Sequence, residues 1–188
     1  KETEKFSLGK QIGYAYGANK RALCPAYLSL TNLAGSMKSI ADARNGFENW
    51  KIEAYEDHFS TVYKNKSCVY LTADSDVVLD MPSVDTIYII GGIVDRNRHK
   101  GIAMKQAQKY GCKTAKFPID KYVHLNASTV LTVNQCVQII LNLLQHKDWK
   151  KALYLSIPPR KVIKYLFDIE KYKEENSDPN AIYRDTKV

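Results

Sequence analysis

Two kinds of apolar pattern alternate along the chain. Compact runs rich in apolar, β-branched or aromatic residues, each closed by polar or turn-forming residues, predict strands at Ala26 to Thr31, Lys51 to Tyr55, Cys68 to Thr72, Val84 to Ile90 and Lys113 to Phe117. Helical periodicity fills the intervals. Ser7 caps a first helix through Leu8, Ile12 and Tyr16, ending where Gly17-Ala-Asn-Lys-Arg breaks the pattern. Further helices are predicted over Asn32 to Ala43, Tyr55 to Tyr63, and Arg98 to Tyr110 with Gly111 as its stop. Thr132 caps a strongly apolar helix to about His146, turning Cys136, Val137, Ile140, Leu143 and Leu144 inward, and Asp148 caps another through Leu155. Pro158-Pro159 interrupts, and a basic amphipathic segment follows from Arg160 to Glu170, carrying Val162, Ile163, Leu166 and Phe167. Strands alternating with helices imply an α/β fold, a mostly parallel sheet with helices on both faces. Residues 1–173 are expected to form one domain, and 174–188 a polar tail.

Thr86 to Ile90 is an unbroken apolar and β-branched run, the pattern of a central strand buried on both faces. Gly91 and Gly92 end it. Paired glycines permit positive φ and close approach of another group, although a simple turn into the next helix has the same signature. Ligands of open α/β sheets sit at the carboxyl edge of the strands. Four segments follow strands in that way: Thr72 to Asp76, Gly91 to Arg98, Lys116 to Asp120 and Val130 to Gln135. None is Gly-x-Gly-x-x-Gly or a P-loop, which argues against a Rossmann dehydrogenase or nucleotide triphosphatase. His58, His99, His124 and His146 have no ligand spacing and read as surface or capping residues. Cys24, Cys68, Cys112 and Cys136 contain no Cys-x-x-Cys, so neither a metal site nor a disulfide framework is expected.

Charge adds an asymmetry. The formal net charge is +8, and residues 1–90 carry 10 Lys and Arg against 11 Asp and Glu, whereas residues 91–188 carry 18 against 9. A basic half is the footprint of a polyanion binder, and solvated Lys-rich helices leave the same mark. Arg96, Arg98 and Lys100 form one cluster; Lys147, Lys150, Lys151, Arg160, Lys161 and Lys164 form a second along the last helices. Together they are the expected RNA-binding track, the alternative being that they only keep those helices soluble. No apolar run is long enough to span a membrane and no secretory signal is visible, so the chain is read as intracellular, with reduced thiols and no membrane partner. It starts at Lys1 without Met, as a fragment would.

Five motifs in order carry a family resemblance: Tyr16-Gly-Ala-Asn-Lys-Arg, Tyr70-Leu-Thr, Tyr88-Ile-Ile-Gly-Gly-Ile-Val-Asp-Arg-Asn-Arg, Thr114-Ala-Lys-Phe-Pro-Ile and Val130-Leu-Thr-Val-Asn-Gln. The sequence resembles, from about Leu8 to Leu155, the eukaryotic and archaeal tRNA methyltransferases that modify N1 of the purine at position 9, members of the SPOUT superfamily. The resemblance implies a C-terminal deep trefoil knot, an exception to the rule against knots. It implies S-adenosylmethionine as methyl donor, S-adenosylhomocysteine as product, tRNA as partner and a monomeric state.

Matched position by position, it assigns cofactor contacts to Leu71, to Gly91, Gly92 and Ile93, to Lys116, Phe117, Pro118 and Ile119, and to Val130, Leu131, Thr132 and Asn134. Phe117 stands where the family more often has Leu. Asp95 falls at the position proposed for the base, taking the proton from N1 of guanine, the expected target, or orienting the purine. Arg96 and Arg98 beside it fit phosphate binding or a salt bridge to Asp95. A non-catalytic RNA-binding scaffold keeping the knotted fold is the alternative. Nucleus or cytoplasm is the expected compartment, ahead of the mitochondrion. The family's usual basic N-terminal extension is not part of this sequence, so weak, salt-sensitive tRNA binding is expected.

Overall fold

In a computed structural model, residues 2–94, 101–126 and 131–175 are described. The first helix, α1 (Glu2–Arg21), starts earlier and runs further than its pattern predicts. Ser7 lies inside it, where its Oγ accepts from Gln11 Nε2 at 3.4 Å, and Gly17 does not stop it. The glycines serve close approach instead. A Cβ at Gly9 would stand 2.8 Å from Ile40 Cγ2, and one at Gly13 would overlap the Arg44 guanidinium, whose Nη2 donates to Gly9 O at 2.9 Å. Packing against α2 (Gly35–Asp42) thus offsets the helix penalty of glycine, about 1 kcal/mol each.

Short strands β1 (Ser29–Leu30) and β2 (Glu53–Ala54) pair in parallel, and a 3-10 turn over Phe47–Asn49 precedes β2. Both strands are shorter than their apolar runs suggest. Helix α3 (Phe59–Val62) is a single turn, capped by His58, whose Nδ1 accepts from Ser60 N at 3.3 Å; a capping histidine is what the sequence predicts.

The principal sheet contains β3 (Ser67–Leu71), β4 (Thr86–Ile90) and β5 (Lys113–Ala115), all parallel, in the order β4-β3-β5. Among the described residues β3 is therefore the middle strand and β4 an edge. The central position expected for β4 is not observed: all five of its residues keep partial exposure, and Val84 is 99 % exposed, outside the strand. Val69 and Leu71 of β3 pack toward the main apolar cluster, while Tyr70 points to a second one with Phe59 of α3 and Ala107 of α4 (Ile102–Lys109). Gly111, at φ +63°, ends α4 as predicted.

After β5, the polar stretch folds into two elements its pattern does not predict, α5 (Ile119–Tyr122) and β6 (Val123–Leu125). Helices α6 (Val133–His146) and α7 (Trp149–Ser156) match their predicted spans closely. The inward face of α6 differs. Ile139 and Leu143 enter the main cluster with Ile119, Val123, Leu153 and Ile157, whereas Val137 and Leu141 meet Ala15 and Ala18 of α1. Helix α6 is buried on two opposite sides, so Cys136, Ile140 and Leu144 are only half-buried.

Beyond α7 the amphipathic segment is not one helix. A 3-10 turn (Pro159–Lys161) leads into β7 (Val162–Tyr165), antiparallel to β6, and α8 (Ile169–Glu175) follows. An irregularity between His124 and Leu125 shifts the register and leaves Ile163 without a partner, 67 % exposed, so the strand's alternation is broken and mimics helical spacing. The whole is a mixed α/β fold of small parallel sheets, helices and one antiparallel ribbon. Among the described residues no helix is long and apolar enough to cross a membrane.

Candidate functional site at the sheet edge and the start of α6

Three strand ends and the first turn of α6 form the candidate site, with Leu71, Phe117, Ile119 and Leu131 all packed on the main apolar cluster. After Leu71 the chain is fastened over β5: Thr72 N donates to Ala115 O at 2.9 Å, and buried Ser75 shares a 2.9 Å hydroxyl contact with Thr114. Lys116 bridges to this segment, its N donating to Val77 O and its O accepting from Leu79 N, both at 2.8 Å. Its backbone is thus engaged within the chain. Phe117 lies 5.9 Å from the ring of Trp149, which donates through Nε1 to Asp80 O at 2.7 Å. Pro118 is buried at φ −77°, ψ 47°, the centre of a tight turn in which Ile119 N donates to Phe117 O at 2.8 Å.

Gly92 centres a similar turn, Ile93 N donating to Gly91 O at 2.8 Å. Neither Gly91 nor Gly92 has positive φ, which corrects the backbone argument made from the sequence. Close approach is the reason that holds. A Cβ on Gly91 would fall 2.7 Å from the Tyr70 hydroxyl, and one on exposed Gly92 3.3 Å from Leu8 Cδ2 of α1.

The start of α6 is held by side chains from far away in sequence. Gln11 Oε1 of α1 accepts from Val133 N at 2.9 Å, and Gln135 Oε1 accepts from the N-cap amide of Thr132 at 3.0 Å. Lys161 Nζ donates to the same Gln135 oxygen at 3.4 Å. Thr132 and Gln135 face each other as a capping box, the Thr132 hydroxyl oxygen toward Gln135 N, and the buried hydroxyl has no other partner among the described residues, which leaves its proton to be donated to a ligand. Asn134 is half-buried beside it. Burial depresses the Lys161 ammonium pKa, with Arg160 adding to the effect. The Cys136 thiol, desolvated although its residue keeps some surface, is pushed up to about 12 and stays neutral.

Asp95, Arg96, Arg98, Lys100 and Val130 lie outside the described residues. The remaining basic candidates divide. Lys147, at φ 55°, and Lys150 are exposed at the turn between α6 and α7, while Arg160 and Lys164 are exposed at the ribbon, Lys164 opposite His124. Lys151 is half-buried with interactions of its own. Lys161 turns inward to α6. Since Lys161 meets the first turn of α6 and Lys147 caps its end, the groups are separated by roughly 18 Å of helix, at about 1.5 Å per residue. Gln11 and Gln135 are the polar residues that sequence reasoning missed. Thr132-x-x-Gln135 does carry the signature of a capping box; the reach of Gln11 across 122 positions has no local signature.

The family model described as tRNA (guanine(9)-N(1))-methyltransferase TRM10/TRM10A matches residues 1–162. The chain is 42 % identical over 156 residues to tRNA methyltransferase 10 homolog A of Rattus norvegicus, covering 82 % of this chain and 47 % of that protein. It is 39 % identical over 169 residues to a tRNA (guanine(9)-N1)-methyltransferase of Schizosaccharomyces pombe, covering 86 % and 55 %. It thus spans about half the length of the curated relatives it matches. The crystal structure of spTrm10(74) superposes with a TM-score of 0.79 at 37 % identity, covering 84 % of this chain and 87 % of that one. That of the full-length spTrm10–SAH complex gives 0.78 at 36 %, covering 85 % and 87 %. On the match over residues 1–162, the chain belongs to the tRNA (guanine(9)-N(1))-methyltransferase TRM10/TRM10A family.

Proposed function

We propose that this chain transfers a methyl group from S-adenosylmethionine to N1 of guanine 9 of tRNA, acting as a monomer. The family match over residues 1–162 carries the proposal, and likeness to the spTrm10–SAH complex supports the choice of cofactor. The residues present fit such a ligand: a buried Thr132 hydroxyl whose proton has no acceptor among the described residues, an exposed Gly92 backbone, and half-buried Leu71, Ile93 and Leu131 lie at the strand ends and the start of α6. Gly91, Gly92 and Ile93, Lys116 through Ile119, Val130 through Thr132, Asn134 and Leu71 would hold it, within a C-terminal deep trefoil knot. Phe117 acts from behind, its ring fixed on Trp149.

S-adenosylmethionine supplies an electrophilic methyl on sulfur. As the N1–CH3 bond formed and the S–CH3 bond broke, the proton on N1 would pass to the Asp95 carboxylate as general base. Orientation of the guanine by the same carboxylate contributes alongside, because in-line displacement depends chiefly on alignment. Lys147, Lys150, Arg160 and Lys164 hold RNA phosphates.

The test is incubation of the chain with an unmodified tRNA transcript and methyl-labelled S-adenosylmethionine, followed by nucleoside mapping. One labelled 1-methylguanosine at position 9 is expected. Label at another position, or none while the cofactor is bound, would overturn the assignment.

A further inference from the structure

Lys161 belongs by sequence to a surface track of cations, yet its contacts face inward. Its carbonyl accepts from Asn126 N at 2.9 Å, and Asn126 Nδ2 donates to Arg160 O at 2.5 Å. Its ammonium reaches Gln135 Oε1, the oxygen that also accepts from Thr132 N. Residue 161 therefore ties the end of β6 to the start of α6, the two described ends of the chain between Asn126 and Leu131. Lys161 N in turn donates to Pro158 O at 2.9 Å, so the 3-10 turn imposed by Pro158-Pro159 sets where the side chain starts.

A cation is out of place here on general grounds. Half-burial strips water from the ammonium and Arg160 adjoins, which is why its pKa is depressed, and the N-terminus of α6 presents positive partial charge besides. Among the interactions of the position is a charge-assisted hydrogen bond to the Gln135 amide, which holds its oxygen toward the N-cap. Gln135 then takes the Thr132 amide and completes a capping box with the Thr132 hydroxyl oxygen, whose proton has no acceptor among the described residues.

We infer that Lys161 is a positioning residue for the cofactor rather than a phosphate contact: through Gln135 it holds the Thr132 hydroxyl and the first amides of α6 in a ligand-ready arrangement. This rests on the proposed S-adenosylmethionine site at that place.

Calorimetric titration with S-adenosylhomocysteine and filter binding of tRNA separate the two roles, using Lys161→Met, Gln135→Met and the double variant, well below each melting temperature. Losing a charged hydrogen bond corresponds to about a 10- to 100-fold weaker affinity, expected here for S-adenosylhomocysteine, with tRNA binding within about twofold of wild type. The double variant should be no worse than the poorer single, since both break one clamp. Kinetically, KM for the cofactor rises while kcat at saturation holds. Lys161→Arg, which keeps a charged donor of similar reach, should restore binding. It also serves with Lys161→Gln if the methionine variant does not fold, the glutamine variant being expected to lose affinity. Unchanged S-adenosylhomocysteine affinity in a folded Lys161→Met or Lys161→Gln, or fully additive losses in the double variant, would overturn the inference. If wild type itself binds no S-adenosylhomocysteine, the cofactor reading fails first.

Discussion

The two ends of α6 are built by opposite means. Its C-terminal end is closed by neighbours: Lys147 takes the left-handed position, its N donating to Leu143 O at 2.8 Å, and Asp148 caps α7 two residues before Lys150. Leu143, Trp149, Ala152 and Leu153 then pack beneath that turn. The N-terminal end adds to its local capping box, Thr132 with Gln135, polar side chains that reach it from α1 and from the turn before β7. A local, apolar closure supports stability, whereas polar clamps reaching in from distant elements suit an end that has to hold a ligand in one arrangement.

Leu143→Ala should separate these roles most forcefully. Leu143 is fully buried, so the cavity left behind should lower unfolding free energy by about 2–5 kcal/mol in urea titration. Affinity of the still-folded fraction for S-adenosylhomocysteine should remain within twofold. A large affinity loss at full folding would show that the two ends are not separate.

Gly9→Val tests the route from α1. The added Cβ sits 2.8 Å from Ile40 Cγ2 and should cost about 1–3 kcal/mol through overpacking, displacing α1 and with it Gln11. Weakened S-adenosylhomocysteine binding should accompany the fall in thermal stability. Gln11→Ala is milder, removing one hydrogen bond to Val133 N for roughly 1 kcal/mol of stability while weakening cofactor binding more than its stability loss suggests. Equal affinity in calorimetry would remove α1 from the site.

At the other end, Lys147→Gly relieves a left-handed strain and should stabilise by up to about 1 kcal/mol in thermal melts, without touching the cofactor. Reversing Lys147, Lys150 and Lys164 to Glu should weaken tRNA and flatten its salt dependence, with S-adenosylhomocysteine binding unmoved. Undiminished tRNA affinity at low salt would place the phosphates elsewhere.

The same contrast explains what could be read from the residues alone. Apolar runs and caps located β3, β4, β5, α6 and α7, because a cap such as Asp148 and a stop such as Gly111 act within a few residues. Burial of α6 on two sides escaped the pattern, since a helical wheel cannot reveal that Val137 and Ile139 have different neighbours. Gly17 looked like a breaker, yet α1 carries it through to Arg21, and the glycines at 9 and 13 gain meaning only once α2 and Arg44 lie alongside. The ribbon was hidden by its register shift at Ile163. Gly92, Leu131 and Thr132 were legible as candidates through motif order, but the inward turn of Lys161 was not: charge alone does not distinguish an ammonium facing solvent from one facing Gln135.

The most direct test is a two-dimensional amide NMR titration of the chain with S-adenosylhomocysteine. Shifts should concentrate at Gly91, Gly92, Ile93, Thr132, Val133 and Asn134, with the amides of Lys147 through Lys151 staying still. Saturable binding whose shifts lie at the Lys147 end and leave Thr132 and Gly92 unmoved would contradict the placement of the cofactor at the start of α6.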